Sequence, residues 1–185
     1  KPEDIDFTTE EISLGTIYLI RSLAKIDVYV SANSGVTLNS VSLNCYSNCF
    51  HCAPIGMTAM DDEWDQATDD TMNTNLTQES FSPSSLEFVK IEENLFRLYV
   101  PEYPNKREDL TPSTISVSMT KNGIENGGVI NFEGMETTSS TEKTRLNILR
   151  NNYYKFCITR VTEYNTDTFI EVVPFDDVNN DIVFE

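Results

Sequence analysis

Positive charge is scarce in this chain of 185 residues: Lys and Arg number 13 against 30 Asp and Glu, and the formal net charge is −17. A protein that binds nucleic acid, or that docks on an anionic bilayer, needs a basic surface to neutralise phosphates. The composition therefore disfavours both kinds of partner. The sequence also lacks any apolar run of about 18 residues, so it predicts no direct membrane insertion.

The residues and motifs of enzyme active sites are equally few. His51 is the only histidine, and G-x-S-x-G, G-x-G-x-x-G and H-E-x-x-H are all absent. A nucleophile pair made from His51 with Cys49 or Cys52 would join near neighbours in sequence, which rarely reach the geometry that such a pair needs. We predict no catalytic residue, no enzymatic activity and no cofactor.

The stretch at residues 18–30 has the strongest strand signal. Lys25, Asp27 and Tyr29 alternate there with apolar residues, a period of two that predicts one buried face and one face in water. We expect a long central strand on which later strands assemble. The alternating apolar residues are Ala24, Ile26, Val28 and Val30.

Short strand signals separated by turn residues continue to the end of the chain, and helical periodicity is almost absent. They predict an all-β, antiparallel β-sandwich over residues 17–185, after an extended lead-in over residues 1–16. Residues 31–35 are expected to fold the first strand into a hairpin with residues 36–43, with a bulge near Asn39 and Ser40. A long loop over residues 46–85 follows this first hairpin.

Four stretches occur in a recognisable order: IYLIRSLAKIDVYV, LYVPEYPNKRE, LRNNYYKFCITRV and EVVPF. Together they resemble the fimbrillin superfamily of Bacteroidales, the type V pilins that include fimbrial subunits, anchor subunits and surface lipoproteins. The matching patterns fall at residues 21–26, 99–103, 149–154 and 172–175. The last departs from the family pattern, because Phe175 stands where Trp is usual.

The resemblance implies a transthyretin-like sandwich that is exported as a lipoprotein to the outer membrane or fimbrium of a Gram-negative bacterium. It implies a non-catalytic pilus subunit, or an anchor or accessory subunit, whose partners are other fimbrial subunits or further copies of itself. Such subunits assemble by β-strand exchange, in which backbone hydrogen bonds supply affinity. Family members carry an N-terminal sandwich before the first pattern, so the chain resembles a C-terminal domain or a short relative.

Either end of the chain is a candidate donor strand. Residues 5–12 are the less apolar segment, and residues 178–185 are half apolar; a frayed end or an ordinary edge strand is the alternative for each. The apolar candidates for interaction near the C-terminus are Val178, Ile182, Val183 and Phe184.

A second function uses the same fold. In this alternative the protein is a surface lipoprotein adhesin or ligand-binding module, and the 46–85 loop contacts a host or bacterial surface ligand. Trp64, the only tryptophan, lies within the acidic run at residues 61–70 and is the candidate contact residue. That run lacks the spacing of a calcium loop, which favours a solvated acidic segment.

The sharpest local cluster contains three cysteines and the histidine: Cys45, Cys49, His51 and Cys52. These are the ligand types of a zinc site, although the spacing is compressed. In an exported chain disulfides are the favoured reading, with Cys157 bridging to one of the three and the other two pairing locally. Free buried thiols are the third alternative. Arg21 and Arg150 are each expected to pair with a carboxylate or a carbonyl, because an unpaired guanidinium in a core is costly.

Overall fold

The computed structural model describes residues 21–32, 34–49, 81–135, 143–161 and 166–174. Within these ranges the regular structure is entirely β, so none of the described residues belongs to a helix that could cross a membrane. The strands are β1 Ala24–Val30, β2 Val36–Ser47, β3 Phe81–Glu87, β4 Val89–Glu92, β5 Leu95–Val100, β6 Thr114–Lys121, β7 Ile124–Asn131, β8 Glu133–Met135, β9 Lys143–Arg145, β10 Asn152–Val161 and β11 Thr166–Pro174.

Two sheets form the sandwich. Sheet A has the order β11-β10-β1-β5-β4 and sheet B the order β3-β2-β6-β7, while β8 and β9 make a small separate ribbon. One continuous apolar cluster fills the space between the sheets, with Ile26 and Phe156 from sheet A and Leu43 and Ile115 from sheet B all fully buried. The predicted all-β sandwich is confirmed, and its strand pairs are antiparallel except for β1 with β10.

The central place of β1 is also confirmed. It pairs with β5 on one side and with β10 on the other, and Ala24, Ile26 and Val28 have no exposed surface. Asp27 departs from the simple alternation, because it is only 2% exposed although it lies on the outer face. Burial of that carboxylate requires a partner, which β5 supplies.

The predicted first hairpin is wrong, because β1 and β2 lie in different sheets. Both edges of β1 are already occupied by β5 and β10, so the segment after β1 has no free edge to pair with. The chain instead leaves sheet A near Ser31, whose N–H donates to the carbonyl of Ile158 at 3.1 Å. It then enters sheet B as β2.

The predicted bulge in β2 is confirmed. The pairing of β2 with β6 shifts register between Leu38 and Ser40. The extra residue changes which face the following side chains occupy. Leu38 and Val41 are therefore both buried in the core, although they are three positions apart and would lie on opposite faces of a regular strand.

One side of the sandwich is closed by a continuous stretch of chain. It runs as β3 along the edge of sheet B, crosses at Phe88, and continues as β4 along the edge of sheet A. The Phe88 N–H donates to the carbonyl of Val41 at 2.9 Å, which fixes the crossing point. The opposite side is bounded by β7 and β11, which approach each other from the two sheets. We call it the β7–β11 side.

The described parts of the four stretches that carry the family resemblance contribute to four neighbouring strands, β11-β10-β1-β5. Their register brings Asn152 opposite Pro174 and Ala24 opposite Val100. The Asn151 N–H also donates to the carbonyl of Leu23 at 3.1 Å. These segments, which are far apart in sequence, therefore meet at one end of sheet A. Their contact there is a structural reason for the four patterns to occur together.

Candidate assembly site

A buried ion pair joins two of these stretches. Arg150 Nη2 lies 2.7 Å from Glu102 Oε2, and the two side chains are only 2% and 6% exposed. The partner predicted for Arg150 is thus a carboxylate. Reciprocal hydrogen bonds between the backbones of Tyr103 and Ile148, at 2.9 and 3.0 Å, hold the two segments in place beside it. The pair fixes the end of sheet A and is enclosed by protein.

Two tyrosines of the same stretches use their hydroxyls inside the fold. The Tyr154 hydroxyl donates to the carbonyl of Asn147 and accepts from the Leu149 N–H, both at 2.8 Å. The Tyr103 hydroxyl donates to the carbonyl of Thr111 at 2.6 Å. Burial raises the pKa of Tyr103 to about 12, so the phenol stays a neutral donor at ordinary pH. These motif residues hold the fold together.

The outer face of sheet A carries a second charge cluster. Arg97 donates two hydrogen bonds to Asp27, from Nε to Oδ1 at 2.7 Å and from Nη2 to Oδ2 at 2.8 Å, and the Tyr153 hydroxyl donates to Oδ2 at 2.5 Å. Burial acts to raise the pKa of Asp27, but the hydrogen bonds from Arg97 and Tyr153 outweigh it and lower the pKa below its ordinary value. Asp27 therefore stays ionised and links β1 to β5 and β10.

The Tyr153 ring extends this cluster. The Lys25 ammonium lies 3.9 Å and the Lys155 ammonium 4.9 Å from the ring centroid, within the range of cation–π attraction. Burial, followed by the hydrogen bond to Asp27, raises the pKa of Tyr153, so its hydroxyl remains a donor. The cluster ties three strands together through side chains.

Strand edges are the places where a second chain can add, and two of the edges in this sandwich are protected. β3 contains Pro83, which has no N–H to donate. β4 has only four residues, carries Lys90 and Glu92, and shifts register against β5 between those two residues. Short length, charge, proline and irregular register all disfavour edge-to-edge pairing.

The β7 edge has none of these protections. It runs eight residues in unbroken register with β6, contains no proline and carries one charge, Glu125. A two-residue turn precedes it, with Asn122 at φ 53° and Gly123 at φ 78°, as a type I′ hairpin requires. The turn makes Lys121 and Ile124 a hydrogen-bonded pair, so every second amide from Glu125 onward points to the free edge.

Apolar side chains are exposed along the same side. Ile124 is 64% and Val129 62% exposed on β7. On β11, Val172 lies opposite Tyr154 in register, yet it is 42% exposed whereas Tyr154 is buried. Among the described strands β7 pairs only with β6, and β11 only with β10. Free backbone groups and exposed apolar side chains therefore coincide on the β7–β11 side, which is the candidate assembly site.

Most of the residues predicted from sequence to form sites lie outside the described part of the chain. Two of the four candidate zinc ligands are among those outside it, so the zinc site stays a prediction. The described residues contain no cluster of three or more ligating side chains. The acidic run at 61–70 is also outside that part. The individual residues outside it are His51, Cys52, Trp64, Val178, Ile182, Val183 and Phe184.

The other three cysteines have free thiols in the structure. Cys45 lies on β2 of sheet B and packs against the core, Cys49 is exposed just after β2, and Cys157 lies on β10 of sheet A. Burial raises the pKa of the Cys45 thiol, which keeps it protonated. Since Cys52 lies outside the described residues, the predicted pairing among the four cysteines stays a prediction.

No protein-family profile and no curated protein sequence matches the chain. Among solved structures, the tip fimbrial protein Mfa3 from Porphyromonas gingivalis, solved with a C-terminal truncation, matches with a TM-score of 0.50 and 15% identity, over 84% of this chain and 52% of that one. A candidate cell adhesion protein from Parabacteroides distasonis matches with a TM-score of 0.40 and 16% identity, over 87% and 54%.

This chain therefore spans about half the length of the solved structures that it matches. At such low identity the likeness to the tip fimbrial protein shows the fold and nothing finer. It confirms the fold that the fimbrillin resemblance implied. The free β7 edge, in contrast, was not anticipated from sequence. The sequence signal for this edge is a regular segment without proline, in which Ile124 and Val129 stand on either side of Gly127 and Gly128. The signal is not sufficient, because the order of the strands in the sheet decides which regular strand lies at an edge.

Proposed function

We propose that the chain is a non-catalytic, cell-surface subunit of a pilus, or an anchor or accessory subunit beside one, and that it assembles by accepting a strand on the β7–β11 side. The proposal is supported by a fold shared with a tip fimbrial protein. The observation that carries it is the unprotected β7 edge, because β3 and β4 are both shielded against pairing.

Strand addition at β7 would satisfy backbone groups that have no partner strand among the described residues. The outward-pointing amides of Glu125, Gly127 and Val129 supply the donors, and the added backbone supplies the acceptors. The exposed side chains of Ile124 and Val172 give the added strand an apolar surface to bury. Backbone pairing provides affinity, while the alternate side chains of the donor decide the fit.

The donor that best suits this surface is the C-terminal segment of another subunit, with the sequence VNNDIVFE in this chain. Ile182 and Phe184 would lie on one face of an extended strand and Val183 on the other. Its two carboxylate residues, Asp181 and Glu185, would also meet a β7 edge with only one charge of its own, Glu125, so repulsion between donor and acceptor is small.

The test replaces one outward-pointing amide. Gly127→Pro removes a donor from the free edge and leaves the β6–β7 ladder intact, because the Gly127 amide points away from β6. Gly127→Ala is the matched control, since a Cβ at that position meets only the Val117 carbonyl oxygen at 3.9 Å. A synthetic peptide of residues 178–185 is titrated into each variant, and binding is followed by fluorescence anisotropy of a label on the peptide.

We expect the wild type and Gly127→Ala to bind the peptide and Gly127→Pro to lose binding, while all three keep the same dichroism spectrum and melting temperature. Equal binding by the proline and alanine variants would place the acceptor elsewhere. A second peptide, with Ile182 and Phe184 replaced by Asp, should fail to bind all three proteins if apolar contacts fix the register.

A further inference from the structure

A cavity opens at the end of the sandwich near the β8–β9 ribbon. Its volume is about 410 Å³, and its walls come from the end of β2, the segment at residues 105–114, the end of β7 and the ribbon itself. This is within the size range of small-molecule sites, roughly 300–1,000 Å³, and at its lower end. The cavity includes Asn131, the last residue of β7, but none of the exposed apolar residues of the β7–β11 side.

Hydrogen bonds inside the protein hold the walls in place. The Asn105 side chain, only 2% exposed, accepts from the Ser113 N–H at 2.7 Å and donates to the carbonyl of Leu146 at 3.2 Å. Asn44 donates to Ser116 Oγ at 2.7 Å, and its carbonyl accepts from Ser113 Oγ at 3.2 Å. The cavity is therefore formed before any ligand enters, and these amide side chains are already committed to the protein.

The ribbon places two opposite charges on the cavity wall. Glu133 on β8 and Arg145 on β9 are directly opposed in register, and both line the cavity. Opposed charges on neighbouring strands ordinarily attract and pair. Among the described residues, however, neither side chain takes part in an ion pair or a side-chain hydrogen bond. A carboxylate and a guanidinium, each unpaired within the described part of the chain, thus stand beside the same open cavity, and the Arg145 side chain is exposed to solvent.

The backbone at the cavity is strained. Cys45 has φ 58°, a conformation that non-glycine residues rarely adopt, at the point where the pairing of β2 with β3 shifts register. Strained positions of this kind cluster at binding sites, where the surrounding structure holds them. Cys45 packs against the core and also forms part of the cavity lining, together with Pro112.

We propose that this cavity binds a small zwitterion, a free amino acid or a dipeptide, with its carboxylate on Arg145 and its ammonium on Glu133. Guanidinium groups form two parallel hydrogen bonds to a carboxylate, and carboxylates accept strongly from ammonium groups. With a net charge of −17 the overall field of the protein disfavours small anions. Only a ligand that carries both charges is selected by this pair of side chains.

The experiment titrates L-alanyl-L-alanine into the full chain and follows backbone amide shifts by NMR. We expect shifts at Cys45, Asn105 and Glu133. The N-acetylated dipeptide, which lacks the ammonium, and the C-terminal amide, which lacks the carboxylate, should each bind about tenfold or more weakly, as loss of a charge-assisted hydrogen bond predicts. Absence of shifts with the free dipeptide, or equal shifts with all three compounds, would overturn the proposal.

Single substitutions distinguish direct binding by Glu133 and Arg145 from a general effect of the net charge of the protein. Glu133→Gln and Arg145→Gln should each weaken binding of the free dipeptide about tenfold or more. Lys143→Gln is the matched control, because Lys143 is exposed on the same strand as Arg145 but does not line the cavity. It should bind like the wild type. Unchanged affinity in both cavity variants, or an equal loss in the control, would refute the assignment of these two residues.

Discussion

Substituting one partner of the buried Glu102–Arg150 pair should lower the free energy of unfolding by far more than the net stabilisation that the intact pair contributes. Both side chains are at least nine-tenths buried, and Glu102 Oε1 has no hydrogen-bond partner among the described residues. Removing one partner leaves the other charge buried without its ion-pair partner, which typically costs about 3–5 kcal/mol. We therefore expect Glu102→Leu and Arg150→Met each to lower the free energy of unfolding by about that amount.

The double variant Glu102→Leu/Arg150→Met should recover most of the loss. It leaves no charge in the core and removes the carboxylate oxygen that lacks a partner. Replacement of a buried ion pair by apolar residues is often neutral or stabilising by about 1–4 kcal/mol. The pair therefore serves to join the two motif segments in one register, and its net stabilisation is small.

Urea unfolding followed by circular dichroism measures all three variants, and a double-mutant cycle extracts the coupling between the two sites. Arg107→Gln is the control, since Arg107 forms an exposed pair with Asp109 and its loss should leave the midpoint unchanged. The reasoning would be refuted by single losses below about 1 kcal/mol that simply add in the double variant.

Three further predictions concern acid stability and two glycines. Burial acts to raise the pKa of Asp27, but the hydrogen bonds outweigh burial and lower the pKa, so the stabilisation from Asp27 is complete above about pH 4. It is lost as the pH falls through the lowered pKa. Asp27→Asn should therefore reduce the loss of stability at acid pH, and an unchanged loss would contradict this. Gly123→Ala should lower the free energy of unfolding by about 1–2 kcal/mol in thermal melts, because its φ of 78° is strained for a residue with a Cβ. Steric overlap does not contribute, since no atom lies within 4 Å of the new Cβ. A loss of only a few tenths of a kcal/mol would contradict the backbone strain. Gly134→Ala should cost about 1–3 kcal/mol, since its Cβ would lie 2.9 Å from Leu146 Cδ1, whereas Gly127→Ala should be nearly neutral.

Local patterns in the sequence predicted the elements that depend on neighbouring residues. The alternation through Ala24, Ile26 and Val28 identified a strand with one buried face, and all three side chains are fully buried. The phase change near Asn39 required a bulge, which the register of β2 shows. Such features follow from the period of the backbone and need no knowledge of distant segments.

Features that depend on distant segments were not predictable in the same way. Asp27 was expected in water, but Arg97, which neutralises it, lies 70 residues further along the chain. The first hairpin was expected because β1 and β2 are adjacent in sequence, yet the actual neighbours of β1 are β5 and β10. The edge position of β7 likewise depends on the strand order of the whole sheet, so no local pattern could reveal the candidate assembly site.

Amide hydrogen exchange along β7 tests the strand-pairing account most directly. The amides of Glu125, Gly127 and Val129 should exchange rapidly in the isolated chain and become protected in the assembled subunits, while those of Asn126 and Gly128, bonded to β6, should be protected in both states. Outward amides that still exchange rapidly in assembled material would contradict the claim that subunits join by adding a strand at this edge.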